Sequence, residues 1–270
     1  MQNASIDHLF EMLRLIDQRT LNVTLSEISG QRRLKREKAI EDIFLDNVSH
    51  EIRTPLNAII GLNDLLNGVA GQHMEEGEKL ILKEHIHKNA DRLLTVMDDI
   101  LDLSRMEKGT LPLHKTVVSL MEICFKARES VKYQVRSGVK LQHEYPVALK
   151  DTLIYTDGKR LEQVLHNFLL NACHHTYSGT ITIRVKEYWD GAADRPMLQI
   201  RVDDTGIGIP PEQRDLLFLP FRKLEGKSEG LGMGLAISKQ IAKMLGGKVY
   251  LDRYYEGGSS FVLELPFEKV

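Results

Sequence analysis

The stretch FLDNVSHEIRTPLNAI at residues 44–59 places a histidine among polar side chains that could assist it in chemistry. Glu51 follows His50 directly, and its carboxylate could take a proton from one ring nitrogen and leave the other nucleophilic. Thr54 lies one helical turn further on, so a helix would carry both side chains on one face. The spacing predicts a reactive histidine, and the alternative is a solvated surface histidine without a role.

The apolar residues around His50 predict the helix that would position it. They step by four along one stripe: Ile40, Phe44, Val48, Ile52 and Leu56. At about 100° per residue, His50 falls roughly opposite this stripe and is expected to point outward. Pro55 lies inside the expected helix, where it lacks an N–H and favours a kink.

A second helix is expected to pack against the first. The His50 helix should run to about Leu66, a glycine-rich turn follows at 67–77, and the second helix covers about 78–108. One such hairpin cannot bury its apolar stripe alone, so two copies should pair as a four-helix bundle with twofold symmetry. Residues 1–29 predict a short parallel coiled coil that enters the hairpin, or else a plain amphipathic helix.

From residue 113 the pattern changes to mixed α and β. Helices are expected at 121–135, 157–174 and 230–245. Strands are expected at 114–120, 139–147, 152–156, 181–189, 197–204, 248–255 and 260–266. Strands with helices on one face predict a two-layer α/β sandwich. The fold class is therefore α+β, a helical hairpin followed by this sandwich.

Two segments of the mixed region carry residues suited to nucleotide binding. Asn167 and Asn171 are four apart on one helix, and an amide oxygen there can ligate Mg²⁺. Asp204 directly follows a strand and offers a carboxylate to the exocyclic amine of adenine. Gly206 and Gly208 then let the backbone turn sharply beside a ligand. Taken singly, surface asparagines and a glycine-rich turn would explain these residues equally well.

Two further segments fit the phosphate side of such a site. Residues 205–229 are irregular and long enough to predict a lid, anchored by phenylalanines and carrying basic residues toward phosphate. Those lid residues are Phe218, Phe221, Arg222 and Lys223. The segment EGLGMGLAIS then opens a helix with Gly230, Gly232, Gly234 and Leu235. Bare N–H groups at a helix start bind phosphate, although the spacing is neither a P-loop nor a dinucleotide fingerprint.

In this order, the segments resemble the sensor histidine kinases of two-component systems. SHEIRTPL matches the phosphoacceptor box of that family, and the later segments match its ATP-binding domain, which is shared with gyrase, mismatch-repair and chaperone ATPases. YYEGGSSFVLELPF at 254–267 matches the usual closing hairpin. The resemblance covers about residues 38–270. It implies a leading helix at 1–37, a dimerisation and phosphotransfer hairpin at 38–110, and a catalytic domain at 113–270.

The resemblance also implies roles for particular residues. His50 accepts the γ-phosphoryl group of ATP with Glu51 as general base, Asn171 ligates Mg²⁺, and Asp204 reads adenine. The chain is then expected to form a homodimer and to pass the phosphoryl group to an aspartate of a response-regulator receiver domain. Thr54 is implied to orient water in a phosphatase reaction on that regulator.

His174 departs from the family pattern, which usually has lysine or arginine there. It lies three residues past Asn171 on the same helical face, toward the expected phosphates. A side chain that titrates near pH 6.5 would then replace a permanent cation. The alternative is a solvent-facing histidine at a helix end. A metal site built with Cys173 and His175 is disfavoured, because consecutive helical residues point in different directions.

Two other functions remain open at the level of sequence. One is an ATP-driven conformational machine of the gyrase or chaperone type, whose hydrolases carry a carboxylate where this chain has Asn167. An amide cannot act as a general base, which favours transfer to His50 over hydrolysis. The other is a degenerate scaffold that binds a regulator without catalysis, and the complete set of motifs argues against it.

Composition limits the partners and the compartment. With 42% hydrophobic and 27% charged residues, and a net charge of -2, the chain has no bulk attraction to nucleic acid or membrane. Two cysteines in 270 residues suit a reducing cytoplasm better than a disulfide framework. No apolar run approaches the roughly 20 residues that span a bilayer. We therefore expect a cytoplasmic protein, which can be the end of a larger membrane sensor.

Overall fold

The structure is a computed structural model that describes residues 46–68, 73–192, 194–220 and 232–267. The chain divides into two compact units, Met1–His50 and Glu51–Val270. The expected coiled coil of the leading segment lies outside the described residues, as do Ile40 and Phe44 of the apolar stripe.

The hairpin predicted around His50 is present. Helix α1 is described over 46–67, and helix α2 spans Glu76–Glu107. Helix α2 begins two residues earlier than expected because Glu75 and Glu78 form a reciprocal capping box, in which Glu78 Oε2 accepts from the Glu75 N–H at 3.1 Å. Among the described residues, no helix has both the length and the apolar character needed to cross a membrane.

The mixed region contains a small sheet and a larger one. The elements in chain order are β1 (Thr116–Ser119), α3 (Leu120–Ser130), β2 (Val139–Glu144), β3 (Leu153–Thr156), α4 (Gly158–His175), β4 (Gly179–Asp190), β5 (Arg195–Asp204), α5 (Pro211–Arg214), α6 (Gly234–Met244), β6 (Lys248–Leu251) and β7 (Ser259–Pro266). Strands β1 and β3 pair antiparallel by themselves. The larger sheet has the order β2-β4-β5-β7-β6, in which only β2 and β4 run parallel.

The helices cover one face of the larger sheet, which confirms the predicted two-layer arrangement. The side chains that are fully buried between the layers include Phe168, Ile181, Ile183, Leu198, Ile200, Ile237 and Ile241. Alternate residues of the strands point to the other face, where Arg184, Arg201 and Asp203 form ion pairs. The period-two alternation along each strand therefore determines which of its residues face the helical layer.

Several predicted boundaries were wrong for local reasons. The strand expected to reach 147 ends at Glu144, because Pro146 cannot donate to a ladder and caps a 3-10 turn. The helix expected at 121–135 covers Leu120–Ser130, since the Ser119 side chain accepts from the Glu122 N–H and caps its start.

The C-terminal part needs two more corrections. The strand expected to reach 255 ends at Leu251, where the Asp252 carboxylate accepts from the Tyr254 N–H and turns the chain. The helix expected from residue 230 is described from Gly234. The stretch 205–229, expected to be irregular, contains the short helix α5, which Pro211 begins at its first position.

Candidate active site

His50 is exposed on helix α1, as its position opposite the apolar stripe predicted. Thr54, one turn further on, is exposed as well, so the two side chains share an accessible face. Pro55 lies within the helix and is buried. The histidine ring is therefore accessible to a reactant.

Glu51 differs from its neighbour because it turns into the hairpin. It is 5% exposed, and its Oε2 lies 3.1 Å from Nη2 of Arg92 on helix α2. A buried carboxylate needs such a partner, since desolvation of an isolated charge is costly. The ion pair links the two helices of the hairpin beside the histidine. Arg92 gave no signal in the sequence, because a charged residue between seam positions usually faces solvent.

Asp204 ends strand β5 on the helix-covered side of the sheet. It is 2% exposed, and its Oδ1 accepts from the N–H groups of Gly206 at 2.8 Å and Ser259 at 3.2 Å. Burial raises the pKa of this carboxyl, and the two backbone hydrogen bonds oppose that rise. With Oδ1 engaged by backbone donors, Oδ2 is the oxygen that can accept from a ligand amine.

The glycines around Asp204 allow close backbone approach. A Cβ on Gly206 would lie 2.4 Å from the carbonyl oxygen of His175, and a Cβ on Gly258 would lie 2.4 Å from that of Asp204. Gly208 has φ +69°, which favours glycine. The Ile207 N–H also donates to the His175 carbonyl at 3.3 Å. The loop is thus held against the end of helix α4, which only the fold brings there.

Helix α4 carries both asparagines, but they face different neighbours. The Asn167 Nδ2 donates to the carbonyl of Gly234 at 2.9 Å and to Ser238 Oγ at 3.2 Å. A Cβ on Gly234 would lie 3.1 Å from the Asn167 side chain, so the glycine permits helix α6 to pack this closely. Asn167 therefore holds the start of α6, a role not predicted from the sequence. Asn171, one turn later, is half-buried.

The end of helix α4 carries two histidines. His174 and His175 are both half-buried. Burial lowers the pKa of His175, and the charge of His174 lowers it further.

The lid and the glycine segment are described only in part. Phe218 packs against Phe261 of the core in an edge-on arrangement, with 6.4 Å between the two ring centroids. Gly232 has φ +68° and directly precedes the buried Met233 and helix α6. Leu235 is half-buried in the first turn of that helix. The other predicted members lie outside the described residues: Phe221, Arg222, Lys223 and Gly230.

The side chains available as ligands limit how a divalent cation can bind. Within the described ranges, no three His, Cys, Asp or Glu side chains cluster so as to hold a metal ion. Mg²⁺ commonly takes one or two protein oxygens, with phosphate oxygens and water completing its shell. A single amide oxygen from Asn171 fits that manner of binding.

Three features of the loop around Asp204 were not predicted from the sequence. The first is the Ser259 N–H, and the second is the close approach of Gly258, for which the glycine pair in EGGSS was an available signal. The third is the His175 carbonyl, which has no sequence signal because its role depends on how the loop folds back.

The hairpin with an exposed histidine and the sandwich with a buried Asp204 define a class, a phosphoacceptor domain joined to a nucleotide-binding domain. Residues 41–109 match the His Kinase A (phospho-acceptor) domain. Residues 156–269 match the Histidine kinase-, DNA gyrase B-, and HSP90-like ATPase. The chain belongs to the sensor histidine kinases.

Individual relatives agree with this assignment. The circadian input-output histidine kinase CikA of Synechococcus elongatus is 31% identical over 96% of this chain and 34% of its own length. The autoinducer 2 sensor kinase/phosphatase LuxQ of Vibrio vulnificus is 31% identical over 91% of this chain and 29% of its own length. The chain thus spans about a third of these relatives. The structure of full-length ShkA in complex with AMPPNP has a TM-score of 0.61 at 26% identity, covering 84% of this chain and 46% of ShkA.

Proposed function

We propose that this chain is an ATP-dependent protein histidine kinase that phosphorylates His50. The observation that carries the proposal is the accessible imidazole of His50 within the segment matched by the phosphoacceptor domain. Neutral imidazole is a nucleophile at physiological pH, and an accessible ring can approach a phosphorus atom in line with a leaving group.

The nucleotide-binding residues have distinct tasks in this proposal. Asp204 accepts from the adenine amine through Oδ2, while the backbone at Gly206 and Gly208 leaves room for the base. The start of helix α6 at Gly232, Gly234 and Leu235 directs N–H groups toward the phosphates. The AMPPNP complex of ShkA supports nucleotide binding in a chain of related sequence and similar fold. Phe218 anchors the lid through Phe261.

The transfer step assigns atoms as follows. A ring nitrogen of His50 attacks the γ-phosphorus, and the bond from that phosphorus to the β–γ bridging oxygen breaks with its electrons leaving on ADP. Glu51 accepts the proton from the other ring nitrogen of His50. The same carboxylate pairs with Arg92 inside the hairpin. When bound, Mg²⁺ neutralises phosphate charge, and Asn171 is its proposed protein ligand.

The phosphoryl group then passes to an aspartate of a response-regulator receiver domain. In the phosphatase reaction, Thr54 orients the water that hydrolyses the phospho-aspartate and releases phosphate. LuxQ, whose name describes a kinase/phosphatase, supports pairing the two activities. The protein acts as a homodimer through its hairpin and works in the cytoplasm.

Two observations weigh against the other functions. A general base for ATP hydrolysis is disfavoured, because Asn167 is an amide whose nitrogen is engaged by helix α6. A non-catalytic scaffold would not need the Asp204 loop with its tight glycine contacts. Both remain outcomes of the test below.

The test is incubation of the protein with γ-labelled ATP and Mg²⁺. We expect acid-labile, base-stable label on the wild-type protein and none on His50→Gln, with nucleotide affinity unchanged in the variant. Asn171→Ala should lose labelling and Mg²⁺-dependent affinity together. Free phosphate without labelled protein would favour an ATPase, and neither product would favour a scaffold. Label retained on His50→Gln would exclude His50 as the acceptor.

A further inference from the structure

A cluster of three polar side chains joins helix α2 of the hairpin to helix α4 of the nucleotide-binding domain. The Arg160 guanidinium binds the Asp102 carboxylate with both terminal nitrogens, Nη1 to Oδ2 and Nη2 to Oδ1, the latter at 3.1 Å. Gln163 completes the cluster, since its Oε1 accepts from Arg160 Nη1 at 2.8 Å and its Nε2 donates to Asp102 Oδ2 at 3.3 Å. We call these three residues the α2–α4 joint.

The joint differs from an ordinary surface ion pair. Asp102 is 7% exposed, and Arg160 is only half-buried, so the carboxylate depends on this partner for its charge compensation. A bidentate pair fixes the orientation of the two side chains as well as the distance between them. Exposed ion pairs with a single contact contribute little to stability. Replacing a buried pair with apolar groups is often neutral for stability, so stability alone does not account for this pair, and its bidentate geometry points to a role in orientation.

A second contact ties the same end of helix α4 to residues 108–115, which connect helix α2 to strand β1 and are called the linker here. The Asp157 carboxylate caps the helix by accepting from the Arg160 N–H at 3.1 Å. Its other oxygen accepts from the His114 N–H in the linker at 2.8 Å. The first turn of α4 is therefore held both by helix α2, five residues before that helix ends at Glu107, and by the linker that follows it. Contacts at the junction itself can persist while the domains rotate about it.

The distances along the two helices fit a pivot. Asn171 lies eleven residues beyond Arg160 on α4, which is about 16 Å at 1.5 Å per residue. Arg92, the partner of Glu51, lies ten residues before Asp102 on α2, about 15 Å away by the same measure. Asn171 on helix α4 and Arg92 on helix α2 thus lie at nearly equal distances from the joint, each measured along its own helix.

We infer that the α2–α4 joint is the pivot that positions helix α4 for phosphoryl transfer, with Asp102 and Arg160 as positioning residues. This inference rests on the proposed kinase function. Rotation about the joint carries the Asn171 end of helix α4 toward the part of the hairpin that contains Glu51. The hydrogen bonds of the joint are made among Asp102, Arg160 and Gln163, and none of these three is an expected nucleotide contact. We therefore expect the joint to affect the transfer rate and to leave ATP binding intact.

The test compares Asp102→Asn, Arg160→Met and the charge swap Asp102→Arg with Arg160→Asp. Lys159→Ala is the matched control, because Lys159 is an exposed cation in the same turn of α4. We expect each single variant to reduce the autophosphorylation rate at saturating ATP at least tenfold, with ATP affinity within twofold of wild type. The swap should restore at least a third of the wild-type rate, and the control should match wild type.

Hydrogen–deuterium exchange provides a readout that does not depend on activity. Asp102→Asn, which is nearly isosteric, should accelerate exchange in the linker at 108–115 and in the first turn of α4. Wild-type rates in the single variants would overturn the inference, as would a parallel loss of ATP affinity or a swap no better than the single variants. Failure of the kinase proposal would be distinct, because the wild-type protein itself would then carry no label while the exchange difference remained.

Discussion

His174 stands in the turn of helix α4 that follows Asn171, where the family usually has a permanent cation. If its imidazole contacts phosphate, the protonated form binds ATP more tightly, since it alone carries charge. An unperturbed histidine loses that charge around pH 6.5, so ATP affinity should weaken as pH rises from about 6 to 8. His174→Lys should remove this dependence.

The measurement is nucleotide affinity across that range in both proteins, at fixed ionic strength and free Mg²⁺, corrected for the titration of ATP. His175→Asn is a suitable control, because burial lowers the pKa of His175 and disfavours its charged form. Coincident profiles for wild type and His174→Lys would show that His174 does not contact phosphate.

Thr54 shares the exposed face of helix α1 with His50. A hydroxyl there can orient a water molecule but is not required as a nucleophile in autophosphorylation. Thr54→Ala should therefore keep autophosphorylation within about twofold and lose at least 90% of the dephosphorylation of the partner regulator. The decay of phospho-regulator with mutant kinase and ADP measures this. Thr54→Ser, which keeps the hydroxyl, should restore decay, and unchanged decay in the alanine variant would reject the role.

At the scale of elements, helix α2 carries an acidic group one turn before the α2–α4 joint. Burial raises the pKa of Asp99 to about 7, with further contributions from the charges of Asp102 and Asp98. A carboxyl whose pKa is raised in the folded protein binds more protons there than in the unfolded chain. The free energy of unfolding therefore falls as pH rises from about 4 to about 7, and is constant above that.

Asp99→Asn should remove this loss of stability. A tenfold change in proton affinity corresponds to about 1.4 kcal/mol. Since ~1 kcal/mol moves Tm by about 2–4 °C in a domain of this size, Tm should rise by at least about 3 °C at pH 8 and change little at pH 4.5. Thermal unfolding at both pH values measures the effect. Asp91→Asn, at an exposed position of the same helix, is the control, and an equal gain at both pH values would contradict the assignment.

At the scale of the whole molecule, the hairpin leaves apolar side chains uncovered. Leu94, Met97 and Leu101 alternate spacings of three and four on α2 and are 59%, 49% and 49% exposed. Leu56, a member of the predicted stripe of α1, is exposed as well. Contiguous exposed apolar residues on a helix at this spacing are typical of a coiled-coil or bundle interface. They support the proposed homodimer.

Leu94→Glu with Leu101→Glu should convert the dimer to monomer. Burying a leucine contributes about 1.5–3 kcal/mol, so each lost site should raise the dissociation constant of the dimer by about tenfold or more. Sedimentation velocity over a micromolar concentration series measures this. His85→Glu, an exposed change on the same helix, should leave the dimer intact. A dimer that survives the double substitution would place the interface elsewhere.

Much of the architecture followed from the sequence alone. Apolar residues at periods near 3.6 and 2 predicted the hairpin, helix α4 and strands β4 to β7, because amphipathic elements must bury one face against another. The observed ends of α3, β2 and β6 differ from the predicted ones because of local caps and turns. At α3 and β6, single hydrogen bonds accepted by Ser119 and Asp252 determine the boundary. The exposure of His50 was predicted correctly from its position relative to one apolar stripe.

The contacts between distant residues were decided only by the tertiary structure. Glu51 with Arg92, Asp204 with Ser259, Asn167 with Gly234 and Asp102 with Arg160 are each at least 41 residues apart in the chain. Periodicity places each of these side chains on a face of its own helix or strand. It carries no information about which second element packs there, because that depends on strand order, on close approaches permitted by single glycines and on the pairing of buried charges.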